Sequence, residues 1–369
     1  MRRIWQAEEG MTLIELMVAM VVSLAVVGAA LALLVTSNNA IQVNQQATDT
    51  QQNVRLAMDL ISQDIKQAGF AMTSTVGACG VGLGNLAAPI VPGDNVPGGA
   101  VGVINDIGPD NVRLVLPSTT AGSGGGTPVL SADASGASNT ITLSAADINA
   151  MVTTSGLILG SVISVGGGPS SQVTAIGANS LTLAKPPSTG GAPARFPTGT
   201  PVYLLQCVQY AISLNQAVCA GSTSCLLRNG VPMVDGIEDL QLAYACDGCN
   251  VLPPNTSGPN GVIDDQDNPG PLPVGAGVFS AGDFITNNTW AVAPMLPDKI
   301  RLVQVTIVAR DSQASKGLSE GNAVPINSAG PVIASDHNPS ADAGFNAAVY
   351  NQQRRRVLTK TIQVRNLES

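Results

Sequence analysis

The sequence predicts an α+β fold: a long N-terminal helix, its first half fit for a membrane and its second half amphipathic, packed on a mainly antiparallel β-sheet head with long Gly/Pro-rich loops. Three observations predict it. Residues 16–35 form a run whose only polar side chain is Ser23. Apolar residues then recur at helical spacing as far as Ala68. The rest of the 369-residue chain is rich in the 40 Gly and 24 Pro, while aromatics are 3% and charged residues 11%, a composition of short strands joined by turns.

The apolar run is long enough, at about 1.5 Å per residue, to cross a hydrocarbon layer of about 30 Å. A secretory signal has a shorter apolar core followed by small residues at its cleavage site, whereas here the polar stretch 1–10 comes first. Arg2 and Arg3 in that stretch supply the positive charge that keeps this end in the cytoplasm; Glu8 and Glu9 count little towards orientation. Glu15 is the oddly placed residue. A carboxylate at the bilayer centre costs roughly 2.5 to 3.5 kcal/mol by insertion scales, so Glu15 should either reach headgroup water or have a partner.

Past the membrane, Ala47, Val54, Met58, Ile61, Ile65 and Ala68 recur at helical spacing with Gln51, Gln52, Asp59, Gln63 and Lys66 between them. A single helix over about 12–67 is expected, on the order of 80 Å long, with Gly69 as its terminator. Strands are expected at 112–116, 140–143, 157–165, 173–176, 181–183, 202–212, 237–244, 300–309 and 357–364, the sixth and the last two being richest in β-branched residues. Residues 93–108, 118–138, 186–200, 253–277 and 314–352 read as loops. The expected organisation is a leader at 1–10, a transmembrane half-helix at 11–35, an amphipathic half-helix at 36–68 and a β-rich head at 69–369.

The net charge of −8, with no basic cluster larger than Arg354, Arg355 and Arg356, excludes nucleic acid as the default partner. Those arginines read as a solvated edge before the last strand, with a subunit contact as the alternative. Cys79, Cys207, Cys219, Cys225, Cys246 and Cys249 all follow the apolar run, which suggests disulfides in an oxidising compartment. Their connectivity stays open; proximity favours Cys219 with Cys225 and Cys246 with Cys249, leaving Cys79 with Cys207. A zinc or redox reading of Cys246 and Cys249 lacks a second Cys-x-x-Cys and a surrounding βαβ pattern.

No constellation for catalysis stands out. His337, the sole histidine, falls in a polar loop and is expected to be exposed, and Gly80 to Gly84 lacks the preceding strand of a phosphate loop. Residues 260–267 are similar to the second half of a calcium loop, with Asp264, Asp265 and Asp267 as ligand candidates, but Thr256 and Gly258 occupy ligand places of its first half. No other cofactor is expected.

Gly10-Met11-Thr12-Leu13-Ile14-Glu15, following a short polar leader and preceding a membrane run, resembles the class III leader of type IV prepilins and pseudopilins. The resemblance implies cleavage between Gly10 and Met11 by a prepilin peptidase, N-methylation of Met11, and pairing of the new amine with Glu15 of a neighbouring subunit. Met11 replaces the commoner Phe, and the two glutamates replace frequent basic residues. Residues 60–70 (LISQDIKQAGF), 233–244 (MVDGIEDLQLAY), 299–310 (KIRLVQVTIVAR) and 355–366 (RRVLTKTIQVRN) are similar to the PilW branch of minor pilins. That likeness implies a minor pilin, not an enzyme, which primes or tips a type IV pilus. It would sit in the inner membrane as a single-pass protein with its head in the periplasm, reaching the pilus or cell surface after assembly. Its partners would be prepilin peptidase, other minor pilins, the major pilin and inner-membrane lipid. The alternatives are a minor pseudopilin of type II secretion and a membrane-tethered periplasmic enzyme or binding module.

Overall fold

The computed structural model describes residues 11–70, 89–93, 108–118, 122–187, 195–249, 261–263, 280–286, 290, 295–312, 331–342 and 344–364. Helix α1 (Leu13–Gln67) is one continuous rod of 55 residues. It contains no proline, and Gly28 is its single glycine. Ala68 leaves helical geometry and Gly69 follows at φ +78°, the left-handed position that a side chain resists. The Gly69 amide donates to Val115 O at 3.1 Å, so the helix end is tied to the head.

The head is antiparallel throughout its described strand pairs. Its larger sheet is built on the twelve-residue strand β9 (Val202–Ser213). One edge of β9 takes β2 (Asn111–Pro117), which carries β1 (Ile90–Gly93). The other edge takes β5 (Val162–Val165) near its start and β10 (Cys225–Arg228) near its end. Beyond β5 follow β6 (Ser170–Ile176), β7 (Ser180–Leu183) and β4 (Thr140–Thr142), while β11 (Val231–Asp235) pairs with β10. A second sheet has the order β12 (Ile237–Cys246), β13 (Ile300–Arg310), β14 (Arg355–Gln363). A two-residue ladder joins β3 (Ala134–Ser135) to β8 (Arg195–Phe196).

Two cores result. In the first, Val54, Ala57, Met58, Ile61 and Ile65 of α1, with Ala68 just past its end, pack on Leu114, Tyr210, Leu242, Val305, Ile307 and Ile362 from both sheets. This is the stripe the helical spacing predicts, except that Ala47 is half-buried and Ala57, which was not expected, joins it. The second core joins Leu130, Ile141, Leu143, Ile163, Val173, Leu181, Phe196 and Val202 with Ile148 and Met151 of α2 (Ala145–Thr153). Helix α2 was not expected; Ser144 caps it by accepting the Asp147 amide.

Several sequence readings need correction. The strand expected at 157–165 begins only at Val162, because Gly160 turns the chain at φ +89° and leaves Ile158 and Leu159 exposed. Strands β1, β10 and β11 were missed. The expected loops 118–138, 186–200 and 314–352 also contain β3, β8 and the short helix α3 (Ala347–Tyr350).

Candidate functional site

The N-terminal end of α1 is built by its own first turn. Thr12 stays extended as the N-cap, and its hydroxyl oxygen accepts the Glu15 amide at 3.4 Å. Glu15 reaches back, its Oε2 accepting from both the Thr12 amide and the Thr12 hydroxyl at 2.9 Å. This is a reciprocal capping box, and it satisfies donors that an α-helix leaves open at its start. Both bonds go to one carboxylate oxygen; Oε1 has no partner among the described residues. Met11 precedes the cap and is 70% exposed. Gly10 lies outside the described residues.

From Met11 to Asn38 every side chain is exposed, including Leu16, Val21, Leu24, Leu31 and Leu34. α1 is therefore long and apolar enough to cross a membrane, and none of that apolar stretch is buried within the chain. Covering each large apolar side chain is worth about 1.5 to 3 kcal/mol, so this face demands lipid or other helices.

The second half of α1 is fastened to the head by polar contacts as well as by its stripe. Asp64 Oδ2 accepts from the buried Tyr210 hydroxyl at 2.6 Å and from Arg228 Nε at 3.0 Å. Burial, and then the Asp64 carboxylate, raise the Tyr210 pKa. At the first buried residue of α1, the Thr50 hydroxyl donates to Asp311 Oδ1 at 2.8 Å. The Asn53 amide nitrogen donates to the Asp235 carbonyl at 3.1 Å.

His337 is buried, contrary to the exposed loop position expected for it. Its Nδ1 lies 2.7 Å from Asp239 Oδ2 and its Nε2 lies 3.1 Å from Asp342 Oδ1. Burial alone lowers the pKa of an imidazolium, yet the hydrogen bonds and charges of Asp239 and Asp342 outweigh it and raise His337 to about 9. At neutral pH both ring nitrogens are protonated and held by carboxylates, so this histidine is a structural cross-link and not a general base. Arg355 likewise is no solvated edge: its guanidinium makes two hydrogen bonds to Glu238, at 2.6 and 2.9 Å, and stacks 3.2 Å from the Tyr350 ring centre. These groups line a cavity of about 450 Å³, in which they are paired with one another. Its mates Arg354 and Arg356 are exposed.

Cys219 is bonded to Cys225, and Cys246 to Cys249. Cys207 is also disulfide-bonded; Cys79, its expected partner, lies outside the described residues. So do Gly80 to Gly84 and the calcium candidates Asp264, Asp265 and Asp267. Among the described residues no group of His, Cys, Asp and Glu could hold a metal ion.

Residues 202–366 match the family model described as Type IV Pilus-assembly protein W, and residues 5–31 match the Prokaryotic N-terminal methylation motif. The chain matches no curated protein and no solved structure. The first match covers β9 through β14, and the second covers the capped, exposed start of α1. With both in their proper order along one chain, the protein belongs to the type IV pilus-assembly protein W family and has a role in pilus assembly.

Proposed function

We propose that this protein is a minor pilin that primes or tips the type IV pilus. A prepilin peptidase removes 1–10 at the cytoplasmic face and methylates the amine of Met11. Residues 11–35 then span the inner membrane, 36–68 dock on the head, and 69–369 stand in the periplasm until assembly carries them outward. Other minor pilins, the major pilin and inner-membrane lipid cover the exposed half of α1.

The observation that carries this reading is the placement of Glu15. It is a carboxylate on an otherwise apolar, uncovered helix, one turn from the residue that becomes the N-terminus. Thr12 holds Oε2 and leaves Oε1 open. Lateral pairing of Oε1 with the Met11 amine of a neighbour neutralises two charges where water is scarce. It also fixes the axial offset between helices, because a mismatch strands both ions. A pseudopilin of type II secretion shares the leader and helix; the family match over 202–366 favours the pilus.

The test is Glu15→Ala. Membrane insertion stays normal, because the substitution makes the helix more apolar, and incorporation into pili is lost. Full incorporation of the variant would overturn the registration role.

A further inference from the structure

The two outer edges of the β12–β13–β14 sheet are treated differently. The β12 edge is covered: Asp110 donates its amide to Leu240 O and accepts the Leu242 amide on Oδ2, and Ile285 exchanges both backbone bonds with Tyr244. Among the described residues the β14 edge has no such cover. Val364 N donates to Arg301 O and Asp311 N to Arg354 O, so the even-numbered residues of β14 bond inward to β13. By the alternation of an antiparallel ladder, Arg355, Val357, Thr359, Thr361 and Gln363 then direct their N–H and C=O groups away from the sheet. No bond to those outward groups exists among the described residues.

This edge is nine residues long, free of proline and free of bulges. Other sheet ends are short or interrupted: β1 has four residues, β4 three, and β11 carries Pro232. A long edge with no cover among the described residues is a template for another strand, and soluble proteins normally hide or break such an edge. Its side chains also indicate what fits. The even positions face α1, where Leu358 and Ile362 join the core and Lys360 lies 3.9 Å from Asp59. On that same side Arg356 is exposed, and Arg354 precedes it, making a cationic strip on a chain of net charge −8. On the other side Val357 is 48% exposed beside Thr359 and Thr361.

We propose that β14 is an assembly surface that receives an extended strand from the head of a different pilin subunit, one with acidic residues on the side that meets Arg354, Arg356 and Lys360. Backbone bonds supply the attraction and the charges select the partner. A second copy of β14 is disfavoured because it carries no Asp or Glu to meet those cations. The inference rests on the assembly reading above and adds the element through which the heads join.

The test compares amide exchange in the full chain, free in detergent and incorporated in sheared pili or their assembly intermediates. Incorporation should slow exchange at Val357, Thr359, Thr361 and Gln363 by about tenfold or more. Thr361→Pro removes one outward N–H without touching the β13 ladder and should abolish incorporation, while Thr361→Val retains it. Arg356→Glu combined with Lys360→Glu should reduce incorporation. An incorporated wild-type chain whose edge amides exchange as freely as in detergent overturns the proposal, even if Thr361→Pro misfolds. Protection of the same amides in the purified chain alone, growing with concentration, overturns the choice of a different subunit. Absence of the wild-type chain from pili and intermediates would instead overturn the assembly reading, and the edge proposal with it.

Discussion

Replacing Asp64 with Ala should loosen α1 from the head by a measurable amount. The carboxylate accepts from Tyr210, a side chain with no exposure, and from Arg228, whose side chain is 28% exposed. A hydrogen bond to a charged group is worth about 1.5 to 3 kcal/mol, and the Tyr210 hydroxyl would be left buried without its acceptor. The Arg228 contact is nearer the surface and contributes roughly 1 kcal/mol or less. Against these losses, Ala gains up to about 0.7 kcal/mol in helix propensity. The net is about 2 to 3 kcal/mol, or roughly 30- to 150-fold in the folding equilibrium. For a head of roughly 300 residues, at about 2.1 cal/mol/K of unfolding entropy per residue, the corresponding fall in Tm is about 3 to 5 °C. Thermal unfolding of the full chain in detergent reads this directly. Tyr210→Phe should lose less, since Arg228 keeps Asp64 paired, and the double variant should cost at least about 0.5 kcal/mol less than the sum. A melt of Asp64→Ala within 1 °C of wild type, or strict additivity with Tyr210→Phe, would refute this account of helix docking.

Raising the pH should weaken the head through its one histidine. The folded pKa of His337 is about 9, above the ordinary 6.5, so its stabilisation is complete below pH 6.5 and disappears as pH rises through 9. The loss is about 3 kcal/mol, read by denaturant unfolding at pH 6 and pH 9.5, and His337→Gln should flatten the dependence across that window. Ile61→Ala, at a fully buried position against both sheets, should cost about 2 to 5 kcal/mol and be seen as a lowered Tm. Thiol labelling of the exported chain without reductant should find no free cysteine, and labelling at Cys207, Cys219 or Cys246 would contradict the disulfide framework.

Much of the fold is local and therefore legible. The helix, its stripe and the three long strands β9, β13 and β14 follow from periodicity and β-branching. Other local signals were present but unread. Thr12-x-x-Glu15 spells a capping box, Ser144-x-x-Asp147 caps α2, and Asn229-Gly230, both at positive φ, form the hairpin turn between β10 and β11. What sequence could not give is tertiary. His337 and Asp239 are 98 positions apart, and Arg355 and Glu238 are 117 apart. A polar loop and a basic triplet look solvated until the chain brings carboxylates to them. The strands of the second core were expected, but not helix α2 or the gathering of those strands around Ile148 and Met151 into a core separate from that of α1.

Mass spectrometry of the N-terminal peptide from protein recovered in pili addresses the origin of the cation that Glu15 is held to bind. The peptide should begin with Met11 carrying one methyl group on its amine. A chain taken from pili that still begins with the arginine-bearing leader would leave Glu15 with no terminal amine to meet, and helix registration by that pair would have to be given up.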